Sequence, residues 1–183
     1  MTGPNANDSP TEALRFRQAT PDDAYELEVL FETAEAARLD HPHPYFDKNT
    51  GDRMLYDLQR DQVWSAVAVI GKKLGGFIIG GPAYPADHES PHHDEIRYLA
   101  VATGQWGRGI GGALLDRAIN NSEANNRTTL EVWPYETNAR AIELYKRKGF
   151  EPTGKIQEDP YAMETMLQHV LRLGEASGRS SQD

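Results

Sequence analysis

The chain has 183 residues, a formal net charge of −9 and no cysteine. That length suits one domain with a real core, and the missing thiols exclude disulfides, thiolate zinc sites and a cysteine nucleophile. An acidic chain is a poor match for nonspecific nucleic-acid binding, no apolar run approaches the ~18 residues of a membrane span, and no basic-then-apolar leader opens it, so it reads as cytoplasmic with neither nucleic acid nor membrane as partner.

Residues 1–13, rich in Asn, Pro, Ser and Thr, read as a disordered tail. Leu14 to Gln18 alternates as a first strand would. Thr20-Pro21-Asp22-Asp23 is a helix start: a capping residue, a proline in the first turn and an acid three residues after the cap. Ala24, Leu27, Leu30, Phe31 and Ala34 form one apolar stripe, which predicts a helix to about Leu39. His41-Pro42-His43-Pro44 ends it; a His-x-His pair is a metal-ligand spacing, but no acid or further histidine nearby completes a site and the prolines read as a turn. A short helix over Asp52 to Arg60 would turn Met54, Leu55 and Leu58 inward.

Gln62 to Ile70 and Leu74 to Gly80 flank Gly71-Lys72-Lys73 and predict a hairpin. A long loop from Pro82 to Asp94 carries His88, His92 and His93, and either lines a site or is a solvated insertion. Glu95 to Val101 is the central strand, Ile110 to Asn121 a helix, Thr128 to Val132 a strand and Asn138 to Lys148 a helix. Glu151 to Lys155 and Tyr161 to Gln168 close the sheet as an antiparallel pair. One domain over residues 14–170 and a polar tail over 171–183 complete the chain, with no internal repeat. The order of elements predicts an α/β fold on a mixed sheet.

The chemistry concentrates after the central strand, in Trp106-Gly107-Arg108-Gly109-Ile110-Gly111-Gly112. A glycine-rich turn entering a helix leaves backbone N–H groups at the positive end of the helix dipole, which fits a phosphate or pyrophosphate. No Lys-Ser or Lys-Thr follows these glycines, so a P-loop is excluded. Gly107, Gly109 and Gly112 match G-x-G-x-x-G, with Glu131 near the end of the next strand as a ribose-binding acid, but the first glycine lies too far past the strand for a dinucleotide fingerprint.

The turn is more similar to the acetyl-CoA motif [Q/R]-x-x-G-x-[G/A] of the GNAT superfamily of N-acetyltransferases. Trp106 stands where Gln or Arg is usual, with Gln105 one place early. Asn138, Ala141, Tyr145, Gly149 and Phe150 resemble the family's N-x-x-A-x-x-x-Y-x-x-x-G-F, with one helix and one strand between the motifs. The connection from Val132 to Asn138 is about two residues longer than the family pattern.

The resemblance implies a mixed, mostly antiparallel sheet of six to seven strands, helices on both faces, and two splayed central strands, Glu95 to Val101 and Thr128 to Val132. The co-substrate would be acetyl-CoA, with no metal. Its pantetheine arm would pair near Leu99, Ala100 and Val101. Its phosphates would meet Trp106, Gly107, Arg108, Gly109, Ile110, Gly111 and Gly112, with Arg140, Lys146, Arg147 and Lys148 as further basic groups nearby. Asn138 would either bind the pantetheine or cap its helix. Acetyl transfer to an amine needs no enzyme nucleophile, so the resemblance implies direct attack. Tyr145 would serve as the acid for the departing thiolate, and Glu95 as the base, with His92 or His93 as alternatives. The acceptor would be a small-molecule or peptide amine, and the protein a monomer or homodimer. The alternative is a non-catalytic acyl-CoA-binding module on the same fold.

Overall fold

In the computed structural model the described residues are 13–40, 49–83 and 92–174. Most of the expected N-terminal tail, the His41-Pro42-His43-Pro44 turn, His88 and its neighbours, and residues from 175 onward lie outside them.

The elements run β1 (Leu14–Arg17), α1 (Ala24–Leu39), α2 (Thr50–Leu58), β2 (Trp64–Ile70), β3 (Lys73–Pro82), β4 (His93–Val101), α3 (Ile110–Ala124), β5 (Thr129–Val132), α4 (Ala139–Arg147), β6 (Glu151–Asp159) and β7 (Glu164–Arg172). A single turn of 3-10 helix, Pro21–Asp23, leads into α1. Asp23 serves there as the sequence suggests: its Oδ2 accepts the Thr20 N–H at 2.7 Å, and its carboxylate pairs with Arg17 at 2.7 Å. The Arg17 hydrogen bond holds the Asp23 carboxyl at about 2.

All seven strands form one open sheet in the order β1-β2-β3-β4-β5-β7-β6. Every neighbouring pair is antiparallel except β4–β5, which are parallel because α3 carries the chain back across the sheet between them. Alternation along the strands divides the core between two faces. Ala66, Ala68, Ile78, Ile96 and Leu130 pack with Ile110, Leu114 and Leu115 of α3, and with Tyr145 of α4. Val67, Phe77, Ile79 and Ala100 pack with Leu27 and Leu30 of α1 and Met54 of α2. Helices therefore cover both faces of a mixed, mostly antiparallel seven-stranded sheet.

Several boundaries differ from the sequence expectation. The closing hairpin is longer, and β7 continues past Gln168 to Arg172, because Val170, Leu171 and Arg172 pair with β5. Leu173 is buried in the core and its N–H reaches Thr128 O at 2.9 Å, so the domain runs past residue 170 and the polar tail does not begin at 171. The central strand starts at His93, opposite Thr129, rather than at Glu95.

Candidate active site

The site begins where β4 and β5 part. Their pairing spans four residues and stops at Ile96↔Val132. Beyond that point β4 keeps only β3, up to Val101↔Gly76. The chain leaving β5 runs along β7 instead: Leu167 N–H donates to Pro134 O at 2.9 Å, Tyr135 bridges Met166, and Glu136 N–H donates to Thr165 O at 2.8 Å. The extra length between Val132 and Asn138 is thus laid along β7 through one β-bridge and two flanking hydrogen bonds, and the splay expected between β4 and β5 is present.

A cleft of about 500 Å³ occupies the gap. Among the residues singled out from the sequence, it brings together Glu95, Leu99, Asn138 and Tyr145. Ala100 contributes no side chain to it, since it packs under α1. The residues from Val101 through Gly112 lie outside the cleft, at the far end of β4.

There the glycine turn meets the start of α3. Gly109 is the N-cap, in the left-handed region at φ 80°, and Gly107 has φ 78°. A Cβ at either would meet nothing within 4 Å, so the turn presents bare backbone to open space. No side chain caps the first turn of α3. An exposed helix N-terminus with this access fits an anionic phosphate group. Gly111 serves differently: a Cβ there would stand 3.3 Å from Leu144 Cδ2, so it lets α3 approach α4.

Trp106 faces away from this space. Its indole N–H donates to Val101 O at 2.7 Å, and the Arg140 guanidinium lies 4.1 Å over its ring. The Val101 carbonyl is therefore already bonded to the indole. Lys148 pairs with Asp116.

Tyr145 enters the cleft from the buried face of α4, 4% exposed and packed on Phe150 at 5.5 Å between ring centroids. Burial pushes its phenol well above the usual value, and the Glu35 carboxylate adds to the rise. The group stays protonated across the physiological range. Asn138 caps α4, with Oδ1 accepting the Ala141 N–H at 3.1 Å, and its side chain also borders the cleft.

Glu95 lines the cleft and stands opposite Glu131 in the register. Glu131 is bound by its neighbours: His93 Nε2 lies 3.1 Å from Oε2, and Gln168 Nε2 donates to the same oxygen at 2.7 Å. Burial pushes the Glu131 carboxyl up, but His93, Trp133 and Gln168 outweigh it and hold it below the usual range. His93 is thereby committed to Glu131, while His92 is exposed and outside the cleft lining. Glu131 sits beside the cleft and not at the glycine turn, which removes it as a ribose partner there.

The opposite wall was not legible beforehand. Arg38, at the end of α1, donates from Nε to Glu35 at 2.8 Å, from Nη1 to Thr137 Oγ1 at 2.8 Å, and through Nη2 to Glu164 of β7. Its guanidinium also lies 4.8 Å over the Tyr135 ring, and Tyr135 OH donates to Asp159 at 2.7 Å. Arg38 and Glu164 are 126 residues apart, so no local pattern announces the pair. Among the described residues no group of three His, Cys, Asp or Glu side chains converges as a metal site. No helix there is long and apolar enough to cross a membrane.

Residues 25–150 match the model of the acetyltransferase (GNAT) family. An uncharacterized N-acetyltransferase of Methanocaldococcus jannaschii is 32% identical over 109 residues, which cover 58% of this chain and 48% of that protein. The chain spans about half the length of this relative. A Salmonella typhimurium acetyltransferase solved with acetyl-CoA superposes with a TM-score of 0.71 at 19% identity, covering 93% of this chain and 98% of that one. The ribosomal-protein-S18-alanine N-acetyltransferase of Escherichia coli gives 0.70 at 18% identity, covering 93% and 100%. At these identities the two structures establish the shared fold.

Proposed function

The chain belongs to the acetyltransferase (GNAT) family, and from that premise we propose that it moves the acetyl group of acetyl-CoA to a primary amine by direct attack. The observation that carries this reading is the break between β4 and β5, with bare glycine backbone at one end and Tyr145 facing into the gap.

Backbone N–H groups at the start of α3, from Ile110 through Gly112, hold the phosphates, helped by the dipole of that helix. Leu99 offers its backbone to the pantetheine arm along the free edge of β4. The thioester then lies beside Tyr145. The acceptor amine loses a proton to Glu95, directly or through water, and its lone pair attacks the acetyl carbon. The new C–N bond forms as the C–S bond breaks, and the nitrogen sheds its extra proton to water to leave the neutral amide. Tyr145 donates its hydroxyl proton toward the departing sulfur. Its raised pKa makes it a weak acid, suited to hydrogen-bonding the thiolate as charge develops.

The test is a thermal melt of the protein with acetyl-CoA, with NADH as the control, followed by an amine panel read by thiol release. At about 100 times its Kd a ligand adds ~2.7 kcal/mol. For a domain of this size that is roughly 5–10 °C in Tm. A shift of that order with acetyl-CoA and none with NADH supports the reading, and thiol release with an amine establishes transfer. No shift with acetyl-CoA, or a shift with NADH alone, overturns it. A shift without thiol release on any amine favours a binding module.

A further inference from the structure

The cleft has two walls. β4 and α4 make the one assigned to the co-substrate, with Glu95 and Tyr145. The other is the C-terminal end of α1, and the carboxylate it presents is Glu35. The Glu35 side chain is 15% exposed, and its Oε2 accepts from Arg38 Nε at 2.8 Å. Beyond Glu35, Arg38 donates from Nη1 to Thr137 and Glu164 and from Nη2 to Glu164, and none of these bonds reaches the second oxygen of Glu35. That oxygen, Oε1, accepts no hydrogen bond among the described residues.

Arg38 and Glu164 already form a two-point ion pair. A carboxylate added to it leaves the trio with one negative charge in excess, and partial burial makes that excess costly unless something meets it. Glu35 and Tyr145 both line the cleft, so the carboxylate and the proton donor border the same space. Burial pushes the Glu35 carboxyl up, with Glu164 adding to the rise and Arg38 opposing it. Excess negative charge, one pinned oxygen and one open oxygen describe a fixed acceptor for an N–H group.

We infer that Glu35 receives the amino group of the acceptor, holding one of its N–H bonds across the cleft from Tyr145. This rests on the acetyl-transfer reading above. Glu35 binds and orients, while Glu95 takes the proton. The excess charge also selects for acceptors that arrive as cations and against acidic ones.

The test compares wild type, Glu35→Gln, Glu35→Asp and Glu32→Gln, a control on the same helix outside the cleft lining. The probes are n-butylamine, 1,4-diaminobutane and trialanine, each with acetyl-CoA. In Glu35→Gln the side chain still accepts from Arg38, so the clamp persists and only the charge is removed. The KM of the probe that wild type uses best is expected to rise about tenfold or more, the size of one lost charge-assisted hydrogen bond. The KM for acetyl-CoA and the Tm shift it causes stay unchanged, Glu35→Asp recovers part of the loss, and Glu32→Gln behaves as wild type. An amine KM unchanged in Glu35→Gln overturns the inference, as does a panel that wild type neither acetylates nor binds. Should Glu35→Gln not fold, Glu35→Asp carries the test, since it withdraws the charge by one methylene, and an unchanged amine KM there overturns it. Loss of the acetyl-CoA shift in wild type instead refutes the acetyl-transfer reading itself.

Discussion

Replacing Tyr145 by Phe separates chemistry from packing more cleanly than any other change in the cleft. The ring is 4% exposed and rests on Phe150, and both features survive in Phe. The hydroxyl makes no hydrogen bond among the described residues, so removing it breaks nothing in the resting protein. Stability is therefore expected to hold within about 1 kcal/mol, or ~2–4 °C in Tm. General acid catalysis is worth roughly 10²–10⁴ in rate. Burial and Glu35 raise the phenol, which makes it a weak acid and places the expected loss of kcat near the lower end, about 10². The assay is release of CoA detected with a thiol reagent, and the chain has no cysteine of its own to contribute signal. The KM for acetyl-CoA should change less than about twofold, since the phosphate grip lies at the α3 end. A kcat within about threefold of wild type refutes the acid role, and a large fall in Tm shows that the hydroxyl serves the fold instead.

Three other changes test different links. Gly109→Ala places a side chain at φ 80° and costs about 1–2 kcal/mol of stability, read by melting. Because its Cβ meets no protein atom, its larger effect should be a KM for acetyl-CoA raised about tenfold, the sign that a ligand occupies that open space. Arg38→Ala strips the partner from Glu35 and Glu164 and should lower stability by about 3 kcal/mol, or roughly 6–12 °C in Tm. Asp23→Asn tests pH linkage: the folded carboxyl sits at about 2, below its unfolded value of 3.8, so its contribution is present above pH ~4–5 and lost as pH falls toward 2. With Arg17 nearly half exposed, that contribution is about 1 kcal/mol, and wild type and variant should converge in denaturant melts near pH 2.

The elements were legible where local pattern decides them. The apolar stripe of α1, the acid after its cap, the β2–β3 hairpin and the run from β4 through α4 all emerge from periodicity and turn chemistry. Residues His169 to Arg172 did not declare themselves as strand, because their order comes from pairing with β5, far off in sequence. The site divides in the same way. Tyr145, Asn138 and the glycine turn sit in contiguous motifs, whereas Glu35, Arg38, Tyr135, Asp159 and Glu164 meet only through the tertiary fold. The extra residues after Val132 were visible as a departure, but their course along β7 depends on contacts that no spacing encodes. Trp106 was visible as the wrong residue for its motif position. Its bond back to Val101 shows that it closes the end of β4 instead.

The clamp at Arg38 has a mechanical meaning. β1–β4 with α1 form one plate, and β5–β7 form another. The four β4–β5 pairs join the plates at the narrow end of a V. Arg38, rooted in α1, reaches Thr137 and Glu164 on the other plate and so spans the wide end as a strut. A V fixed at both ends has a set aperture. Under the proposed acetyl transfer, acceptors would be sorted by whether they fit that aperture, and a shorter strut would widen the tolerance.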